Sequence, residues 1–280
     1  MSDDLSFGVK LDNWRSTPYS KWAFHHVREI VPTADIENKC GLVNDLNLDI
    51  QRFEDLNLEQ VMEETETDAI VIAQNNSILF EKYNNGMSEK SPHILFSVSK
   101  SILGLIVGAL IGNKTLNESD LIIKFVPELK MTAYYDATVR DLLDMRVGVK
   151  FDEDYTATTG PIINYRYAAN WNPVPAGIEA GDLKSFMETL NDRDGLHNDR
   201  FHYVSPNTDL LAWVCERASG MRYSDLLSDL LWTPLGAESS GYITVDRLGG
   251  MRAAGGVCFT ARDLARVGLM IANYGYANNK

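Results

Sequence analysis

The spacing of apolar and polar positions predicts a chain that starts irregularly, makes one hairpin and is then mainly helical. Residues 1–66 are mixed, and Pro18 and Pro32 interrupt any period. That predicts an ordered but irregular arm around a short helix over 21–30. DAIVIAQNNSILFEKYNNG reads as a hairpin, with β-rich runs over 69–73 and 78–83 flanking a polar Asn75-Asn76-Ser77 turn. FSVSKSILGLIVGALIG, residues 96–112, is apolar on every face after its first turn, as expected of a helix buried in the core. TVRDLLDM predicts a short amphipathic helix ending near Gly148.

Periodicity dissolves from Val149 to about Ala180, in a segment rich in Gly, Pro, Thr and aromatics; such a segment inside a compact domain is more often functional than filler. Helical spacing returns at DLKSFMETL, at NTDLLAWVCERASG with Gly220 as its stop, and at RYSDLLSDLLWTPLG. YITVD predicts a strand. TARDLARVGLMIANYG predicts a helix with Thr260 as N-cap and Asp263 as the partner of a variant capping box. This order of elements predicts an α+β protein, a single domain of two lobes: residues 1–96 and 236–280 form a sheet-containing lobe, and residues 97–235 a mainly helical one. A sheet begun by one hairpin wants further strands, so the sheet is expected to be incomplete within these residues.

With 280 residues, 45% of them hydrophobic, the chain can bury a real core. Its formal charge of −13 argues against nucleic acid as a partner, because phosphate contacts need clustered Lys and Arg, and against an anionic membrane surface. The cysteines Cys40, Cys215 and Cys258 are widely spread and form neither a disulfide framework nor a zinc spacing. The start, MSDDLSFGVK, lacks the basic and apolar regions of a secretory signal, and no apolar run is long enough to span a bilayer. The cytoplasm is the expected location.

Ser97 and Lys100 stand three apart at the mouth of the apolar stretch, so on a helix they share a face. Apolar surroundings disfavour the ammonium and make the neutral amine of Lys100 available as a base for the Ser97 hydroxyl. The helix N-terminus suits a developing oxyanion. The structural alternative makes Ser97 a plain N-cap and lets Lys100 reach solvent. Tyr203, in FHYVSPNTD just before a helix, is a candidate second proton carrier; beside a lysine its pKa should fall. Its alternative is half-buried aromatic packing.

Other motifs are weaker. There is no Gly-x-Ser-x-Gly elbow and no His-Glu-x-x-His pair. His25 and His26 are expected to point apart on a helix in structural roles. The acidic DEDY over 152–155 could hold a cation, but a few carboxylates on a loop are usually solvated. No metal or organic cofactor is expected.

Ser97-Val98-Ser99-Lys100 followed by YVSPN resembles the serine β-lactamase and penicillin-binding-protein superfamily, in its class C-like branch. LDNWRSTPYSKWAFHHVREIVPTADI, TVRDLLDMRVGVKFDEDY and AAGGVCFTARDLARVG narrow the resemblance to the 6-aminohexanoate-dimer (nylon oligomer) hydrolases, from about Leu11 onward. The resemblance implies a β-lactamase-like α+β fold with Ser97 as acyl-forming nucleophile, Lys100 as base and Tyr203 as proton relay. Ser205 falls where many relatives carry the Asn of Tyr-x-Asn, and Tyr155 and Trp171 match aromatic positions that line the substrate cleft. The implied substrates are small linear amides such as aminohexanoate oligomers, or carboxylesters.

Relatives also carry a strand with Lys-Thr-Gly or an equivalent. No Lys-[Ser/Thr]-Gly occurs here, so the chain is expected to be C-terminally truncated relative to them. The alternatives are an inactive relative that binds ligand without turnover, and a β-lactamase or D-alanyl peptidase. A homodimer stays open.

Overall fold

The computed structural model describes residues 5–51 and 56–278. The first residues of the polar N-terminal stretch and the last two of the chain lie outside the described residues.

The elements, in chain order, are α1 (Ser20–Ala23), β1 (Thr33–Ile36), β2 (Asn47–Leu48), α2 (Leu58–Glu64), β3 (Ala69–Gln74), β4 (Ser77–Tyr83), β5 (His93–Ile94) and α3 (Val98–Gly112). There follow α4 (Val139–Leu143), α5 (Pro161–Ala168), α6 (Leu183–Met187), α7 (Ser205–Ser219), α8 (Tyr223–Leu227), α9 (Thr233–Leu235), β6 (Gly241–Thr244), β7 (Val257–Phe259) and α10 (Ala261–Ala272). One sheet runs β1-β6-β7-β5, all pairs antiparallel. The other runs β2-β4-β3, with β3 and β4 antiparallel and β2 parallel to β4. Helices α3 to α9 fall between the two groups of strands along the chain.

The β3–β4 hairpin turns on Asn75 and Asn76, both at positive φ (51° and 63°). A two-residue turn of that hand matches the strand twist, and Asn tolerates it better than most residues. Ile102, Leu103, Ile106, Val107 and Leu110 of α3 are buried at the centre of the core, as its apolar faces require. Helix α4 opens on a capping box in which Thr138 and Asp141 satisfy each other's backbone N–H.

Several sequence expectations are corrected. The helix expected over 21–30 is a single turn, α1, followed by a 3₁₀ turn at Val27–Glu29. The arm that carries it also supplies strand β1, which pairs with β6. Helix α4 ends at Leu143, with Asp144 as C-cap and Met145 left-handed (φ 53°), before Gly148. Helix α5 lies inside the segment read as irregular; Pro161 starts it, and its mixed aromatic and polar residues carry no clean period. RYSDLLSDLLWTPLG is helical but breaks into α8, a π-turn over Ser228–Trp232, and α9. His25 and His26 do not point apart: past the end of α1 their rings lie 4.3 Å centroid to centroid, and His26 stacks on Trp22 at 4.0 Å.

Strand β7, which the periodicity did not announce, has the largest consequence. The Leu95 N–H donates to the Val257 carbonyl (2.8 Å), and the Val257 N–H donates to the buried Ser99 hydroxyl (3.2 Å). The first turn of α3 is thereby fastened to the sheet.

Candidate active site

Phe96, immediately before Ser97, sits at φ 42°, a left-handed conformation that is rare for an aromatic residue. Its ring is held by Phe24, Trp171 and Trp14, at centroid distances of 4.9, 6.0 and 6.5 Å. The kink turns Ser97 outward at the head of α3. Ser97 stands at the N-cap position, but its side chain caps nothing, so the N-cap alternative fails.

The Ser97 Oγ instead accepts two hydrogen bonds, from the Lys100 ammonium at 3.2 Å and from the Tyr203 hydroxyl at 2.8 Å. Lys100 does not reach out to solvent. Its Nζ also donates to the Ala254 carbonyl (2.7 Å) and lies 4.9 Å from the centre of the Tyr203 ring. Burial pulls its pKa below the ordinary value, and the field of Arg252 adds to this, while the Tyr203 oxygen and Glu153 oppose it.

The Ala254 carbonyl is itself fixed. The Ala254 N–H donates to Asp209 of α7 at 2.7 Å, and the other oxygen of Asp209 takes the buried Arg252 guanidinium and the Tyr165 hydroxyl. Burial works against the Arg252 charge but is outweighed by Tyr165 and Asp209. Gly256 closes this turn: a Cβ there would overlap the Thr244 hydroxyl and lie 2.9 Å from the Arg252 carbonyl.

Ser97 and Lys100 open onto a cleft of about 280 Å³ that Tyr155, Trp171 and Ser205 also line. Trp171 is nearly buried; its indole N–H donates to Thr244 of β6 (3.2 Å), and its carbonyl accepts from the Trp14 indole (3.2 Å). Tyr155 is exposed and donates to Glu153 (2.6 Å). Ser205 gives Glu153 both its N–H (2.6 Å) and its hydroxyl (2.5 Å).

The structure thus brings Ser97, Lys100 and Tyr203 into contact and places Tyr155, Trp171 and Ser205 around them. It adds residues that the sequence reading passed over. Glu153, in the acidic run read as solvated, accepts three hydrogen bonds at the cleft wall. Arg15, Arg166 and Arg252 line the same cleft, and single arginines in irregular sequence carry no signal that would find them. No group of His, Cys, Asp and Glu among the described residues could hold a metal ion.

Comparison with known proteins gives the family. The beta-lactamase family model matches residues 55–277. The chain belongs to the beta-lactamase family. It is a serine hydrolase of that family, 37% identical over 270 residues to a 6-aminohexanoate-dimer hydrolase of Paenarthrobacter ureafaciens. That match covers 95% of this chain and 68% of the relative. A solved Bacillus anthracis structure, provisionally named a 6-aminohexanoate-dimer hydrolase, superposes with a TM-score of 0.90 at 25% identity, covering 98% of this chain and 74% of that one. A beta-lactamase/D-alanine carboxypeptidase from Pseudomonas syringae shares the fold at 18% identity, with a TM-score of 0.59 over 81% of this chain and 65% of its own. Among the described residues of this beta-lactamase-family chain, no helix is long and apolar enough to cross a membrane.

Proposed function

We propose that the chain hydrolyses small linear amides or esters, of the 6-aminohexanoate-oligomer type, through an acyl-enzyme on Ser97. The observation that carries this reading is one oxygen, the Ser97 Oγ, within hydrogen-bond reach of both the Lys100 Nζ and the Tyr203 hydroxyl. As a neutral amine, Lys100 takes the Ser97 proton while the Oγ attacks the substrate carbonyl carbon. The N–H groups of Val98, Ser99 and Lys100 are spent on the carbonyls of Leu95, Phe96 and Ser97. Among the described residues, the Ser97 N–H is the donor left at this helix start for the developing oxyanion. Tyr203 gives its proton to the leaving nitrogen or oxygen and recovers one from Lys100 as the carbon–heteroatom bond breaks. Water then attacks the acyl-enzyme by the reverse proton path, releasing the acid and free Ser97. The substrate type follows from the Paenarthrobacter relative's name and level of identity.

The test compares the protein with Ser97→Ala on a 4-nitrophenyl ester and on the linear 6-aminohexanoate dimer. A rate advantage for the unmodified protein of at least about 100-fold is expected on both. Equal rates on both would remove the hydrolase reading, and turnover of the ester alone would remove the amide substrate.

A further inference from the structure

The protein is acidic, with a formal charge of −13, yet the wall beside Ser97 is cationic. Arg15, Arg166 and Arg252 line the cleft against one carboxylate, Glu153. Some of these charges are already answered. Arg252 is paired with Asp209, and Glu153 accepts from Tyr155 and twice from Ser205. Arg15 and Arg166 differ: among the described residues neither lies within ion-pair distance of a carboxylate. Arg15 donates to the neutral amide oxygen of Asn172, and its buried Nε has no hydrogen-bond partner. Arg166 spends one nitrogen on the Tyr155 carbonyl at 3.3 Å, while Glu153 and Asp154 act on it only through space. The two guanidiniums feel each other: burial and the nearby Arg166 lower the Arg15 pKa to about 10. A partly buried guanidinium without a counter-charge is unfavourable, and its planar fork matches a carboxylate. Two of them facing one cleft make a site for an anion.

We propose that Arg15 and Arg166 bind a carboxylate of the substrate, so that the cleft selects linear acids carrying a free carboxylate on one side of the scissile bond. This deepens the Ser97 hydrolase reading and rests on it. Trp171, 5.8 Å from the Arg15 guanidinium, flanks the anion on its apolar side.

Two measurements test it. In the first, adipate and its uncharged counterpart 1,6-hexanediol are titrated into the intact protein by calorimetry, with no turnover involved. Adipate is expected to bind at least about tenfold more tightly, with the advantage lost in Arg15→Gln and Arg166→Gln and partly kept in Arg166→Lys. Adipate binding no tighter than the diol, or equally tightly to both folded Gln variants, overturns the proposal. If Arg15→Gln does not fold, the Arg166 pair decides.

The second compares kcat/KM for 4-nitrophenyl hydrogen adipate with 4-nitrophenyl hexanoate, and for 4-(hexanoyloxy)benzoate with phenyl hexanoate. A preference of about tenfold for the charged ester, carried mainly by KM, is expected in at least one pair and should shrink in 0.5 M salt. Turnover without charge preference in either pair overturns the carboxylate site and leaves the Ser97 reading standing. Selective adipate binding with no turnover of any ester above Ser97→Ala does the reverse.

Discussion

Lys100 serves the proposed reaction only as a neutral amine, and its surroundings favour that form. Burial is the main cause, with Arg252 helping, so half-deprotonation falls below the ordinary value of 10.5. The sign follows directly: at low pH the ammonium cannot accept the Ser97 proton, and activity rises as the amine is freed. kcat/KM on a 4-nitrophenyl ester should therefore climb through a limb whose midpoint lies below 10.5, and Lys100→Ala should abolish that limb along with most of the rate. Tyr203 is half-buried, and its hydroxyl donates to Ser97. Tyr203→Phe is expected to lower kcat by about 10²-fold or more with little change in the unfolding midpoint, because the ring packing is kept. A Phe variant with unaltered kcat would take the relay away from Tyr203.

At the scale of elements, the two sheets are tied through their neighbours. Arg262, in the first turn of α10, clasps Glu81 of β4 with two nitrogens, Nε at 2.8 Å and Nη2 at 2.6 Å. Both side chains are mostly buried, and this bidentate geometry is worth more than an ordinary surface pair. The Arg262 bonds hold the Glu81 carboxyl below its ordinary 4.5. Its contribution to stability is fully present above that value and is lost as pH falls through the lowered one. Glu81→Gln should cost about 1–2 kcal/mol in urea unfolding at pH 7 and noticeably less at pH 3. An equal cost at both pH values would mean that the pair contributes packing and not charge.

Across the whole molecule, the buried Asp209–Arg252 pair joins α7 to the turn before β7 and, through Ala254, to Lys100. Removing the carboxylate would leave Arg252 charged and buried. Asp209→Ala is therefore expected to destabilise by about 3–5 kcal/mol, measured by denaturant unfolding, and to weaken the hold on Lys100. A loss under 1 kcal/mol would show that Arg252 finds water or another acceptor. Assembly on this scale separates what is legible in the sequence from what is not. Local chemistry announces itself in one dimension: the Asn75-Asn76 turn, the apolar run of α3 after its first turn, the Thr138 and Thr260 caps, and the three-residue step from Ser97 to Lys100 all act within a few residues. Tyr203 is marked by its place just before a helix, and the family resemblance adds the cleft aromatics. Tertiary structure alone decides the rest, because those contacts join residues remote in the chain. β1 meets β6 across some two hundred positions, Glu153 finds two of its donors in Ser205, 52 positions away, and Arg15 and Arg166 reach one cleft from an irregular arm and a helix without a clear period. Periodicity records which face of an element is apolar; it holds no record of which distant charge that face will meet.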